Sequence, residues 1–181
     1  MRAVKIAMNG LGRGLTSSIR PPNLPTRSLT VALAAKTMRH MSIPIYPRSP
    51  REMMDGWMHL PRYIDKIRLQ LAGKLHADYQ PNLGQGFDGM WAKAAGVTHA
   101  QMVAVVQSSI TDGEVCDWVR QHVKKSAAEK RAHGEEMLAY PKASDAAAQE
   151  RFQQRKQEFG LAHRDEIRCF VDLIDADEKR I

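Results

Sequence analysis

The sequence predicts an all-α protein: a compact single domain of six or seven mostly short helices over residues 44–181. Three observations predict this class, namely repeated helix-start motifs, glycines at the expected helix ends, and apolar residues at helical spacing. No segment shows the sustained two-residue alternation of apolar and polar residues that marks a half-buried strand. The chain has 181 residues, which is enough to bury a core of ordinary size.

Four capping boxes predict four helix starts. In this motif a Ser or Thr side chain accepts a hydrogen bond from the backbone N–H three residues on, and a Glu or Gln at that position bonds back to the first residue. The first box also has proline at the first helical position, where no N–H is needed. The four boxes are Ser49-Pro50-Arg51-Glu52, Thr98-His99-Ala100-Gln101, Thr111-Asp112-Gly113-Glu114 and Ser126-Ala127-Ala128-Glu129.

Three glycines predict helix ends, because glycine readily adopts the left-handed conformation that closes a helix. Each helix that one of these glycines closes is predicted to begin near an apolar residue or a capping residue. The predicted helices run from Leu60 to Gly73, from about Phe87 to Gly96, and from about Asp145 to Gly160.

In three segments, apolar residues recur at the spacing that places them on one helix face. One of these stripes includes Trp118, which is therefore predicted to be a core residue. The stripes are Leu60, Ile64, Ile67 and Leu71; Val115, Trp118, Val119 and His122; and Ile167, Phe170, Val171 and Ile174.

The excess of positive charge is confined to the start of the chain. The net charge is +7, yet seven of the 27 basic residues and none of the 20 acidic residues lie in residues 1–40. The remainder holds 20 basic and 20 acidic residues, so it is electrically balanced. A nucleic-acid partner is therefore disfavoured, since nucleic acids are bound by domains with a basic face.

Residues 1–43 are expected to form a disordered basic leader outside the helical domain. The segment is rich in Arg, Ser and Thr, lacks acidic residues, and is interrupted by Pro21 and Pro22. Two interpretations stay open. The segment is transit-like, or the chain starts from a codon placed too early, with Met38 or Met41 as the true start.

The sequence also predicts a soluble, cytoplasmic protein. No apolar run approaches the roughly 20 residues that span a bilayer, so no membrane partner is expected. The two cysteines, Cys116 and Cys169, belong to no disulfide or zinc-type spacing and are expected to be reduced. The sequence contains no HExxH motif, phosphate-binding loop or nucleophile motif, so we expect no metal site and no cofactor.

The polar face of the helix that starts at Leu60 is the first candidate site. Arg62 and Lys66 lie one turn apart, and Asp65 lies between them in projection. Two such cations can hold an anion while the carboxylate orients one of them. The pattern favours a binding module for a small anionic metabolite or a protein partner. A solvated face with intrahelical ion pairs has the same pattern.

His76 and Tyr79, just after this helix, extend the candidate site. A histidine close to a carboxylate and a phenol can move protons. The alternative function is therefore a small enzyme that uses Asp65 with His76 or Tyr79 as acid–base groups, although loop residues that cap neighbouring helices give the same pattern. The enzyme requires Asp65 and Lys66 in a pocket within hydrogen-bond reach of His76 or Tyr79.

Several segments of the chain together resemble a bacterial family. The most specific is Leu60-Pro61-Arg62-Tyr63-Ile64-Asp65-Lys66. The others are Tyr46-Pro47-Arg48-Ser49-Pro50-Arg51, Asp112-Gly113-Glu114-Val115-Cys116-Asp117-Trp118-Val119 and Phe170-Val171-Asp172-Leu173-Ile174-Asp175. On these residues the chain resembles the proteins grouped as domain of unknown function 5069, over roughly residues 45–178. The resemblance supports the domain boundary and implies no activity.

Overall fold

The computed structural model describes residues 45–181. In this part of the chain a short antiparallel hairpin precedes seven α-helices, so the predicted all-α class is confirmed. A 3-10 helix, Ala77–Asn82, joins the first two α-helices. The predicted leader, residues 1–43, lies outside the described residues. The elements are β1 (Met53–Met54), β2 (Trp57–Met58), α1 (Leu60–Leu71), α2 (Gly86–Ala95), α3 (His99–Ser108), α4 (Asp112–His122), α5 (Ala127–Leu138), α6 (Ala146–Glu158) and α7 (Phe170–Asp177).

Three of the four predicted capping boxes begin helices. Thr98, Thr111 and Ser126 cap α3, α4 and α5, and each box has both of its reciprocal hydrogen bonds. The predicted helix ends are also confirmed, since the glycines that follow α1, α2 and α6 have left-handed backbone conformations. These glycines are Gly73, Gly96 and Gly160, with φ of 65°, 76° and 69°.

The first predicted helix start, at Ser49, is wrong. The Ser49 hydroxyl accepts a hydrogen bond from the Arg51 N–H at 3.1 Å, which closes a turn, and the chain then enters the hairpin. The hairpin loop is Asp55 and Gly56, with φ of 50° and 76°. Positive φ at both positions matches the tight turn that strand twist favours, and Asp-Gly is its usual sequence.

The main core lies between the hairpin and helices α1 to α4. Trp57 of β2 meets Trp91 of α2 edge to face, with ring centroids 5.6 Å apart. Tyr63 of α1 packs on Trp91 in the same manner at 5.8 Å. Other buried members of this core are Leu60, Ile64, Ile67, Met102, Val105, Val106, Val115, Val119 and Val123.

Trp118 is partly buried, which corrects the prediction that it is a core residue. Helix α4 directs Val115 and Val119 inward, and both are 0% exposed. Trp118 packs at the margin of the core, and the exposed His122 ring stacks on it with centroids 4.4 Å apart. The predicted stripe is wide, and its edge positions reach solvent.

None of the helices between residues 45 and 181 is long and apolar enough to cross a lipid bilayer.

Candidate functional site

The two cations of the predicted site are buried. Arg62 is 3% exposed and Lys66 is 5% exposed, although both lie opposite the apolar stripe of α1. Other parts of the chain cover this polar face: the backbone before the hairpin, the loop between α1 and α2, and the end of α7. Helix α1 is therefore enclosed on both faces, and its cations need buried partners.

Glu178 is the partner of Arg62. The Arg62 guanidinium donates to both carboxylate oxygens of Glu178, at 3.0 and 2.6 Å, and to the Arg48 carbonyl oxygen at 2.7 Å. The Tyr79 hydroxyl donates to the same carboxylate at 2.6 Å, and Arg180 also contacts it. Burial alone would raise the pKa of Glu178, but the hydrogen bonds from Arg62 and Tyr79 hold it below its ordinary value. Glu178 is thus a buried anion shared by several donors.

Asp88 is the partner of Lys66. The Lys66 ammonium contacts the Asp88 carboxylate and also donates to the Asn82 carbonyl oxygen at 3.1 Å. Asp88 is 0% exposed and accepts two further hydrogen bonds, from His59 Nε2 at 2.8 Å and from the Gly84 N–H at 3.0 Å. Burial would raise the pKa of Asp88, but the His59 hydrogen bond and the Lys66 charge lower it. Asp88 therefore holds α1 and the loop before α2 together.

His59 belongs to this buried cluster and has an unusual backbone. It precedes α1 with φ of 73°, a left-handed conformation that is costly for a residue with a side chain. Burial lowers the pKa of His59 against the raising effect of Asp88, so the ring is neutral near pH 7. Its Nε2–H donates to Asp88, because a carboxylate only accepts. Nδ1 is then a buried acceptor, without a hydrogen-bond partner among the described residues.

The third member of the predicted helix site, Asp65, holds a different segment. It accepts three hydrogen bonds from Arg48, at 2.9 Å from the backbone N–H and at 2.8 and 2.7 Å from the guanidinium. Arg48 and Arg68 in turn share the carboxylate of Asp112. Asp65 also borders a shallow groove of about 300 Å³ beside Tyr46.

The structure does not bring Asp65 together with either acid–base candidate. Between residues 45 and 181, Asp65 bonds only to Arg48. His76 is exposed, and its Nδ1 lies 3.3 Å from the Asp78 carboxylate. Tyr79 meets Arg62 through Glu178 and through its ring, whose centroid lies 5.5 Å from the guanidinium carbon. Arg62 and Tyr79 therefore share one network around Glu178, whereas Asp65, Lys66 and His76 contact Arg48, Asp88 and Asp78, respectively.

Sequence reasoning missed His59, Asp88 and Glu178. Asp88 has a visible signal, because it begins the stripe that continues with the buried Trp91, Ala92 and Ala95 on α2. An acidic residue in register with an apolar stripe indicates a buried partner for a cation. His59 and Glu178 carry no comparable local pattern.

A larger groove lies between the hairpin and α5. It has a volume of about 460 Å³. Two of its apolar residues are well exposed, Met53 at 62% and Leu138 at 41%. The lining residues are Met53, Asp55, Gly56, Met58, Ala127, Lys130, Arg131, Gly134, Glu135 and Leu138.

The charges in this groove fall into a paired and an unpaired group. Lys130 donates to the carbonyl and carboxylate oxygens of Asp55 at 2.9 and 2.7 Å, and Arg120 donates to the same carboxylate. Arg131 and Glu135 are exposed and lie outside the ion pairs that α5 makes with the described residues. The groove thus combines exposed apolar side chains with two free opposite charges.

The described chain is a small helical domain with a hairpin at its start, a neutralised polar interior and one mainly apolar groove. The family model described as Domain of unknown function (DUF5069) matches residues 45–180. The chain belongs to this family, and the resemblance read from the sequence is confirmed. No curated protein matches the chain.

Proposed function

We propose that this domain is a non-enzymatic binding module that docks a protein partner in the groove between the hairpin and α5. The observation that carries the proposal is the exposure of Met53 and Leu138 beside Arg131 and Glu135, which form no ion pair within the described part of the chain. Exposed apolar residues rimmed by polar ones are typical of protein-binding surfaces. Methionine suits such a surface, because its flexible side chain adapts to a partner.

A small anionic metabolite at Arg62 and Lys66 receives less support. Each cation already has a buried carboxylate, Glu178 for Arg62 and Asp88 for Lys66. An incoming anion must displace that carboxylate and leave it buried without its partner, which costs about 3–5 kcal/mol. Arg62 and Lys66 therefore stabilise the fold, and an anionic ligand would have to compete with their buried carboxylate partners.

An enzyme that uses Asp65 with His76 or Tyr79 also receives less support, because the three side chains lie in separate networks. A general acid or base must lie within hydrogen-bond reach of the proton that it transfers.

We also propose that the module acts in the cytoplasm. This location is supported by the two cysteines, Cys116 and Cys169, which are both free thiols.

Affinity capture with the full-length chain tests the docking function. The wild-type chain, the groove variant Met53→Lys/Leu138→Asp and the control Ile110→Asp are immobilised and exposed to lysate of the source cells. Ile110 is 88% exposed and lies at the opposite end of α4 from Arg120. Its replacement therefore also puts a charge in place of an exposed apolar side chain, but outside the groove. We expect a protein that the wild type and the control retain, and that the groove variant loses.

The captured protein is then purified, and its affinity for each chain is measured. We expect it to bind the groove variant at least ten-fold more weakly than it binds the control. Identical capture by all three chains contradicts the proposal. A circular dichroism melt of each variant shows that the substitutions leave the fold intact, since all three positions are exposed.

A further inference from the structure

The groove face of α5 is a straight stripe along the whole helix. Its residues recur at the spacing of one helical face: Ala127, Lys130, Arg131, Gly134, Glu135 and Leu138. At 1.5 Å per residue this stripe is about 16 Å long, or three helical turns. Ala127 is exposed on this stripe, whereas Gly134 is buried against Met58 of the hairpin, which forms the opposite wall of the groove. The shape therefore fits a helix that lies along α5 and packs its apolar face between α5 and the hairpin.

The charges near the start of α5 are mostly positive. Residues 120–131 contain five Lys or Arg and one acidic residue, Glu129. Part of this charge is neutralised, because Asp55 pairs with Arg120 and Lys130, Asp117 pairs with Arg120, and Glu129 pairs with Lys125. Arg131 lies in the groove itself and forms no ion pair with residues 45–181. The positive end of the α5 dipole acts in the same direction. A carboxylate on the partner would complement this end of the groove.

We propose that the occupant of the groove is an amphipathic helix of another protein, with acidic side chains that meet Arg131 and an apolar face that packs on Met53 and Leu138. This inference rests on the proposed docking function and adds the chemistry of the partner. Glu135 lies one turn further along α5. The partner helix therefore carries its acidic residues at the end that faces the start of α5, and neutral or basic residues near Glu135.

A display selection tests this partner chemistry without knowledge of the natural partner. The probe is a library of 16-residue peptides with Leu fixed at positions 4, 8 and 11 of a helix and all other positions random. The library is selected on the immobilised full-length wild-type chain, with counter-selection on Met53→Lys/Leu138→Asp. We expect recovered peptides with Asp or Glu enriched at one end, and at least ten-fold weaker binding of these peptides to Arg131→Glu.

The matched control is Lys74→Glu, which makes the same change of charge at an exposed position just after the C-terminal end of α1. It should leave peptide binding within two-fold of wild type. Replacing the enriched acidic residue of a peptide with Lys should restore its binding to Arg131→Glu.

The possible failures are distinguishable. Recovery of groove-dependent peptides with no acidic enrichment, or with equal affinity for wild type and Arg131→Glu, overturns the acidic-helix inference and leaves the docking function standing. Failure to recover any peptide that binds the wild type and survives the counter-selection overturns both.

Discussion

Asp88 is the residue that compensates the buried charge of Lys66. It accepts hydrogen bonds from His59 and the Gly84 N–H and is in contact with the Lys66 ammonium. Each of these groups is held at the junction between α1 and the loop before α2. Without the carboxylate, Lys66 keeps only the Asn82 carbonyl as a polar partner among the described residues. Removing one partner of a buried pair costs more than the pair contributes, because the other charge stays desolvated.

Replacing Asp88 with Asn should lower the free energy of unfolding by about 3–5 kcal/mol, since it leaves the Lys66 charge uncompensated. Urea unfolding at pH 7 measures the effect. Asp65→Asn is the matched comparison, because its partner Arg48 is one-third exposed, and its cost should be about 1 kcal/mol. Equal losses in the two variants would show that the Asp88 cluster is no more important than a surface ion pair.

The buried histidines predict a loss of stability in mild acid. Burial lowers the pKa of both His59 and His133 in the folded chain. The unfolded chain therefore binds more protons below its ordinary histidine pKa of about 6.5, and folding is disfavoured there. The free energy of unfolding should be steady above pH 7 and fall as the pH drops below about 6.5.

His133→Phe isolates part of this pH effect, because it keeps the aromatic contact with Trp57 and removes a titrating ring. Its stability should fall less steeply over the same pH range, as measured by urea unfolding at each pH. A slope as steep as that of the wild type would assign the acid sensitivity to other groups.

At the residue scale, the sequence identified the cations of α1 but not their role. Arg62 and Lys66 were predicted as a pair on one polar face, and they lie there. Their carboxylates are 116 and 22 residues away along the chain, so spacing within the helix carries no information about them. Burial of these cations is a property of tertiary contacts.

At the element scale, local motifs predicted most of the fold. The capping boxes at Thr98, Thr111 and Ser126 depend on four consecutive residues, and all three begin helices. The box at Ser49 fits the same motif, but there the Ser49 hydroxyl closes a turn. The hairpin strands that follow have two residues each, too short for an alternating pattern to be detected. The Asp55-Gly56 pair was the available signal.

Helix α4 gives a test of how its stripe is oriented. Trp118→Ala should cost about 1–2 kcal/mol, because only part of the ring leaves water on folding. Trp91→Ala, at a position that is 0% exposed, should cost about 3–5 kcal/mol. Thermal and urea unfolding of the two variants check this order. A larger loss for Trp118→Ala would restore the sequence prediction that Trp118 is a core residue.

At the scale of the described chain, polar contacts close the domain by joining its two ends. Ser49 and Arg51 bond to Asp175 of α7, 126 and 124 residues away. Arg62 bonds to Glu178 just beyond α7. The family match begins at residue 45 and ends at residue 180, so it includes both partners of every one of these contacts. Of these contacts, the Arg62–Glu178 pair also neutralises one of the two cations on the polar face of α1.

The central claim is therefore that partners dock beside α5 and not on the polar face of α1. The most direct measurement is a methyl NMR titration of the full-length chain, labelled with ¹³C at the methionine methyl groups, with a display-selected peptide. The methyl signals of Met53 and Met58, which line the groove, should shift, and that of Met102, buried in the main core, should not. Saturable peptide binding that leaves the Met53 and Met58 signals unchanged would contradict the claim.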